Sequence, residues 1–172
     1  MFLTSHDWWV FAFRWLHIIS GIMWIGHLWY FNFTQTPSMP KIPDEHKPAI
    51  SKVIAPTALY WFRHGAMAII VTGLILAALS GYIGSAIVLG IGSHNVHDTA
   101  IGIGMWLGAI MWFNVWFIIW PNQKKALGIV DATPDEKKKA ARTAGLTSRV
   151  NTLLSIPMLY CMAAASHYAF TS

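Results

Sequence analysis

Charge is scarce in this chain. Of its 172 residues 11% are Asp, Glu, Lys or Arg, against about 25% in an ordinary soluble domain. Acid is scarcer than base, seven residues to twelve. Cysteine is nearly absent: the single Cys161 excludes an internal disulfide, and without a C-x-x-C-H there is no covalent c-type haem attachment. Cys161 falls in an apolar stretch and reads as packing. Internal repeats and low-complexity segments are missing as well. In their place stand 55% hydrophobic residues and ten tryptophans, a composition suited to lipid rather than to water.

Four stretches, 8–33, 58–82, 99–120 and 152–170, reach the roughly 20 mostly apolar residues that a bilayer-crossing helix needs. The first has no small-residue cleavage site and runs into a Trp/Tyr/Phe cluster, so it reads as a retained helix rather than a signal peptide. Lys41, Lys47, Lys52 and Arg63 follow the first stretch. Lys124, Lys125, Lys137, Lys138, Lys139, Arg142 and Arg149 lie between the third and fourth. The positive-inside rule puts these segments in the cytoplasm and both termini outside. The expected fold is all-α: one transmembrane domain over 1–172, an integral membrane four-helix bundle with both termini on the outer, periplasmic side of a bacterial inner membrane, crossed several times. Basic residues that flank spans and belong to no recognition fold do not suggest nucleic-acid binding.

Asp7 is the expected N-cap of the first helix. Trp8, Trp9, Trp29 and Tyr30 mark its interfacial belts. Pro37, Pro40, Pro43 and Pro48 predict an extended loop, followed by a helical lead-in over 49–54 that Pro56 punctuates. The stretch 83–92 is expected at the outer interface. Gly104 and Gly108 have the G-x-x-x-G spacing of close helix approach, and Trp120-Pro121-Asn122 is expected to end the third helix. Thr133-Pro134-Asp135-Glu136 reads as a capping box opening a short cytoplasmic amphipathic helix over 134–144 that stops near Gly145. Pro157 is expected to kink the fourth helix.

Five histidines lie in or beside the apolar stretches: His17, His27, His64, His97 and His167. Imidazole is costly in hydrocarbon, so each raises a functional-site hypothesis with a partner to be found. In a helix bundle that partner can be a metal or a haem iron held between facing helices. His27 near the end of one helix and His64 near the start of the next, antiparallel one fall at similar depth, as an axial pair requires. His17, about 15 Å above His27, could pair with His167 or His97 on a second haem. All five are candidate axial ligands of haem iron. Arg14, three residues before His17 on the same face, could meet a haem propionate or snorkel to lipid headgroups. His94-x-x-His97-Asp98 has the spacing of an interfacial metal site in a polar loop. Each imidazole could instead hydrogen-bond a neighbouring helix, and glycines such as Gly21, Gly26 and Gly65 would serve a macrocycle or ordinary packing alike.

Two segments resemble the membrane domain of the membrane-anchored urate oxidase (urate hydroxylase) family. They are 13–30, FRWLHIISGIMWIGHLWY, and 103–170, above all GAIMWFNVWFIIWPNQKK with SIPMLY and SHYAF. LYWFRHGAMAIIVTG, 59–73, is similar more loosely. The resemblance implies membrane-bound oxidation coupled to the respiratory chain, with electrons leaving through a C-terminal cytochrome c domain that this sequence does not contain. It also implies histidines at the positions of His17 and His167. The opening W-L-H-I-I-S is similar as well to small four-helix haem proteins such as bacterial protoporphyrinogen oxidase.

The expected function is a b-type cytochrome with one or two haem b groups, passing electrons between a membrane donor, quinone among the candidates, and a cytochrome c or larger oxidoreductase. No catalytic side chain is assigned, and a homo-oligomer stays open. Two alternatives stand beside it: a haem-free accessory subunit of a respiratory or photosynthetic complex, and an oxidase component related to urate oxidation.

Overall fold

The computed structural model describes residues 5–91 and 96–167, and all regular elements among them are helical. Five helices organise the chain: α1, His6–Lys41; α2, Lys47–Leu79; α3, Ile83–Ile87; α4, Val96–Ala126; and α5, Pro134–His167. Of these, α1, α2 and α4 are long and apolar enough to cross a membrane.

Three helices outrun the ends expected from their prolines. α1 continues through Pro37, α2 through Pro56 and α4 through Pro121. A proline interrupts a helix because it lacks an N–H and its ring crowds the carbonyl four residues back. Here a widened π turn precedes each one: Tyr30–Gln35, Ile50–Ile54 and Asn114–Ile119. Each turn stops two residues short of its proline, where the wider i→i+5 pattern relieves that crowding. The loop expected to be extended after residue 33 is therefore largely helix. At the start of α1 the cap is Ser5, not Asp7: the Ser5 hydroxyl accepts the Trp8 N–H at 3.3 Å.

The expected stop near Gly145 also gives way. α5 is one unbroken helix of 34 residues, joining the charged 134–144 stretch to the apolar one. One glycine within a helix costs only about 1 kcal/mol, and Ala140 and Ala144, both buried, hold that part of α5 against the end of α4. The capping box at its start forms as read: Glu136 accepts the Thr133 N–H at 2.8 Å, and the Glu136 N–H donates back to the Thr133 hydroxyl at 3.3 Å.

The helices pack as two antiparallel pairs, α1 with α2 and α4 with α5. Their shared core is made by Trp24 and Leu28, by Leu59, Phe62 and Ala66, by Met111, Val115 and Ile119, and by Ala144 and Met158. Outside this core the helices carry large apolar side chains outward, among them Ile22 (69% exposed), Leu153 (70%) and Tyr160 (74%). Water would oppose such a surface, and hydrocarbon would not. Polar ties join the helices within and between the pairs. Asn151 of α5 accepts from the Asn114 amide at 2.8 Å and donates to the Met111 carbonyl at 2.9 Å. Across from α1, the Trp29 indole donates to the Ser155 hydroxyl at 2.9 Å, and the Asn32 amide to the Ser148 hydroxyl at 2.8 Å. At the same end the Arg63 guanidinium lies 3.3 Å over the Trp120 ring. Arg14 is the one Lys or Arg that does not gather toward this basic end.

Candidate functional site

Between the two pairs runs an apolar cleft of about 660 Å³. Its walls come from α1 between His17 and Trp29, from α2 around Gly73, from α4 between Met105 and Trp112, and from Met158, Leu159 and Met162 of α5, with Ile87 of α3 at the far end. The Trp29–Ser155 and Asn32–Ser148 bonds close the pairs together at the basic end. This volume lies within the 300–1,000 Å³ usual for small-molecule and cofactor sites.

His17 stands on the rim, tied to the neighbouring helix. Its Nδ1 lies 3.0 Å from the Ile69 carbonyl and 3.2 Å from the Thr72 hydroxyl. That hydroxyl donates to the Ala68 carbonyl at 2.7 Å, which leaves its oxygen free to accept. A proton on Nδ1 satisfies both contacts and leaves the lone pair on Nε2, the arrangement in which imidazole ligates a metal. Gly73 makes the seat: a Cβ there would stand 2.8 Å from Cε1 of the ring and 3.1 Å from Nδ1.

Helix register gives the heights of the other histidines. On antiparallel helices equal steps from a shared contact reach equal heights. From the Trp29–Ser155 bond, twelve residues along α1 reach His17 and twelve along α5 reach His167. These two imidazoles therefore lie in one layer. His167 is exposed, beyond the cleft wall, with Nδ1 3.1 Å from the Ala163 carbonyl. From the contact of Met162 with Gly104, the same count puts His97 about 3 Å farther out. Its Nδ1 meets the Asp98 carboxylate at 2.9 Å, and its ring lies 5.9 Å from that of Tyr82. Burial holds the Tyr82 phenol above its ordinary pKa, while the positive charge of Arg14 pulls it down. Arg14 itself is exposed at this far end. His94 lies outside the described residues, and no cluster of three or more potential ligands occurs among those described.

The same counting puts His64 opposite residues 25–26 of α1, because Gly65 packs on Trp24 and Gly73 on His17. His27 and His64 thus have matched heights. His64 is two residues from both Phe62 and Ala66, and so about 200° round the helix from each of these buried positions. It is exposed, with its ring centroid 4.0 Å from that of Tyr60 and 6.3 Å from that of Trp116. His27 is half-buried, about 200° round from the cleft residues Ile25 and Trp29 but about 60° from Trp24, which lines the same cleft. Both rings hold a carbonyl of their own helix through Nδ1 at 2.7 Å, His27 that of Met23 and His64 that of Tyr60.

Sequence reasoning missed the cleft itself and the residues that seat His17, namely Ile69, Thr72 and Gly73. The sequence carries no signal for them until the register of α1 on α2 is known.

Residues 95–172 match the family model described as urate oxidase N-terminal. That match bears out the resemblance read in 103–170 and takes in His97, His167 and the 114–125 block. No curated protein and no solved structure matches the chain.

Proposed function

We propose, for a chain that carries the urate oxidase N-terminal match over 95–172, the role of a membrane b-type cytochrome. The observation that carries this reading is the common height of His17, at the mouth of an apolar cleft, and His167, exposed beyond its wall. In this reading α5 from about residue 150 onward is a fourth span. The basic end faces the cytoplasm of a bacterial inner membrane, and both termini lie outside.

His17 fits a haem at the mouth; His167 has its height but lies about 200° round α5 from buried Ala165, so pairing requires the last turn of α5 to rotate. Nε2 of His17 is held by the Nδ1 contacts to Ile69 and Thr72, and Nε2 of His167 by that to Ala163. Arg14 stands at the same end to pair with a propionate. The walls below the mouth exclude water. Bound haem would supply one-electron redox chemistry, and two imidazole ligands would favour electron transfer over oxygen chemistry. A cytochrome c or a larger oxidoreductase outside the membrane would take the electrons.

The test is the reduced-minus-oxidised spectrum of the purified chain, with pyridine-haemochrome stoichiometry. One haem per chain is expected, lost in His17→Ala and His167→Ala and kept in His64→Ala. A featureless spectrum after haem supplementation would leave the imidazoles as helix-bonding groups of an accessory subunit. Loss in His64→Ala but not in His17→Ala would refute the ligand pair. For orientation, Lys138→Cys in a Cys161→Ala background should react with a membrane-impermeant maleimide only after the membrane is opened.

A further inference from the structure

Where α2 meets α4 at the basic end, two cations share one aromatic ring. The Arg63 guanidinium lies 3.3 Å over Trp120, and the Lys124 ammonium lies 5.7 Å from the same ring. Both side chains are half-buried. Among the described residues the ion pairs are Glu45–His46, Asp44–Lys47 and Asp98–His97, so no carboxylate answers either cation. An indole face attracts a guanidinium but accepts none of its in-plane N–H groups. Trp120 therefore fixes the plane of the Arg63 fork and leaves its donors for an oxyanion, which a guanidinium grips with two parallel bonds.

A stripe on α4 shows what carries that oxyanion. Phe113, Phe117, Trp120 and Lys124 succeed one another at spacings of four, three and four residues, the spacing of neighbours on one helix face. Phe113 and Phe117 are exposed, with their rings stacked at 4.8 Å. On α2, Tyr60 and Trp61 are exposed within a turn of Arg63, and aromatic residues of this kind mark the headgroup level of a bilayer. The surface thus runs from apolar rings on a membrane-spanning helix to two cations at the basic end, the order of acyl chain and phosphate in a phospholipid. A zwitterionic headgroup would bring its own ammonium toward Lys124, so net negative charge is favoured. We infer that the junction of α2 and α4 at the basic end is a headgroup site for an anionic phospholipid, with Arg63 and Lys124 on the phosphodiester and acyl chains along Phe113 and Phe117. This needs only a lipid setting and does not rest on the haem reading.

The experiment titrates the full chain, in detergent micelles, with phosphatidylglycerol or with phosphatidylcholine of the same acyl chains, and counts bound lipid by native mass spectrometry. The first phosphatidylglycerol is expected to bind about tenfold tighter than the first phosphatidylcholine. Arg63→Gln should abolish that preference, and Lys124→Gln should weaken it about fivefold. Arg63→Lys keeps the charge without the fork and should fall between parent and Arg63→Gln. Lys138→Gln, exposed on α5, should bind as the parent does. Circular dichroism checks that each variant keeps the parent's helicity; if Arg63→Gln fails to fold, Lys124→Gln decides. Undiminished preference in a folded Arg63→Gln or Lys124→Gln would overturn the inference. So would an equal loss in Lys138→Gln, which would mean diffuse attraction to the whole basic end, or displacement of the lipid by equimolar inorganic phosphate, which would mean a soluble ligand. Any haem spectrum should be the same in all four variants, which separates this result from failure of the cytochrome reading.

Discussion

Substituting Gly73 by alanine tests whether the seat of His17 is as tight as its geometry implies. In a helix interior this change alone should stabilise by about 0.8–1.0 kcal/mol. Here the new methyl would stand 2.8 Å from Cε1 and 3.1 Å from Nδ1 of the imidazole, and separations under about 3 Å do not persist, so the ring must move. It is held by contacts of 3.0 Å to the Ile69 carbonyl and 3.2 Å to the Thr72 hydroxyl. Within a membrane such bonds are worth about 0.6 kcal/mol each, and overpacking costs about 1–3 kcal/mol. The net expectation for Gly73→Ala is a loss of about 1–3 kcal/mol. In a His17→Ala background the obstruction is gone, and the same substitution should become neutral or stabilising by up to about 1 kcal/mol. Reversible unfolding in mixed micelles of increasing denaturing detergent reads all four corners of the cycle. A coupling of about 2 kcal/mol or more is expected. Additivity within about 0.5 kcal/mol, the behaviour of independent sites, would refute the seat and with it the fixed orientation of Nε2.

Other outcomes follow from the packing. Gly102→Ala would drive a methyl into the Ala86 carbonyl oxygen; the backbone of α3 must shift, with a loss of about 1–3 kcal/mol and faster hydrogen exchange over 83–87. Trp29→Phe removes the bond to Ser155 and should cost about 0.6 kcal/mol, at most about 1.7, while raising accessibility of a cysteine placed at Ile25 to a lipid-soluble maleimide; unchanged labelling would show that this tie does not close the cleft. At the start of α5, hydrogen bonds from the Thr133 N–H and then its hydroxyl hold the Glu136 carboxyl below its ordinary pKa. The folded value is depressed, so the cap's contribution is complete above the ordinary glutamate pKa and fades as pH falls through the lowered one. Exchange protection of the first turn of α5 should fall over that acidic window in the parent, and Glu136→Gln should remove this pH dependence.

The helices were legible because length and apolar content decide membrane spans, and their ends were not because proline has two outcomes. Pro37, Pro56 and Pro121 each read as a stop, yet each follows a π turn that lets the helix run on. That choice depends on whether neighbouring helices make continuation worthwhile, and a single segment does not carry that information. The histidines divide on the same ground. Depth along a helix is a count of residues, so the matched heights of His27 with His64 and of His17 with His167 could be read before any fold was known. Direction around the helix is a different quantity. It depends on which face meets which neighbour, and that is set by contacts such as Trp24 on Gly65 and His17 on Gly73. Once those contacts fix the faces, His27 and His64 share a height but His64 turns outward, whereas His17 is seated on the rim of the cleft. An imidazole pair grips a common iron only when height and azimuth agree. The substitution that discriminates is therefore one that alters azimuth at constant height: moving the histidine of α5 one position along, as Ser166→His with His167→Ala, swings the ring by about 100° for a rise of about 1.5 Å. Position 166 lies about 20° and 40° round α5 from the cleft residues Leu159 and Met162, so haem content should stay above that of His167→Ala alone, and a fall to that level would refute an iron held at the cleft.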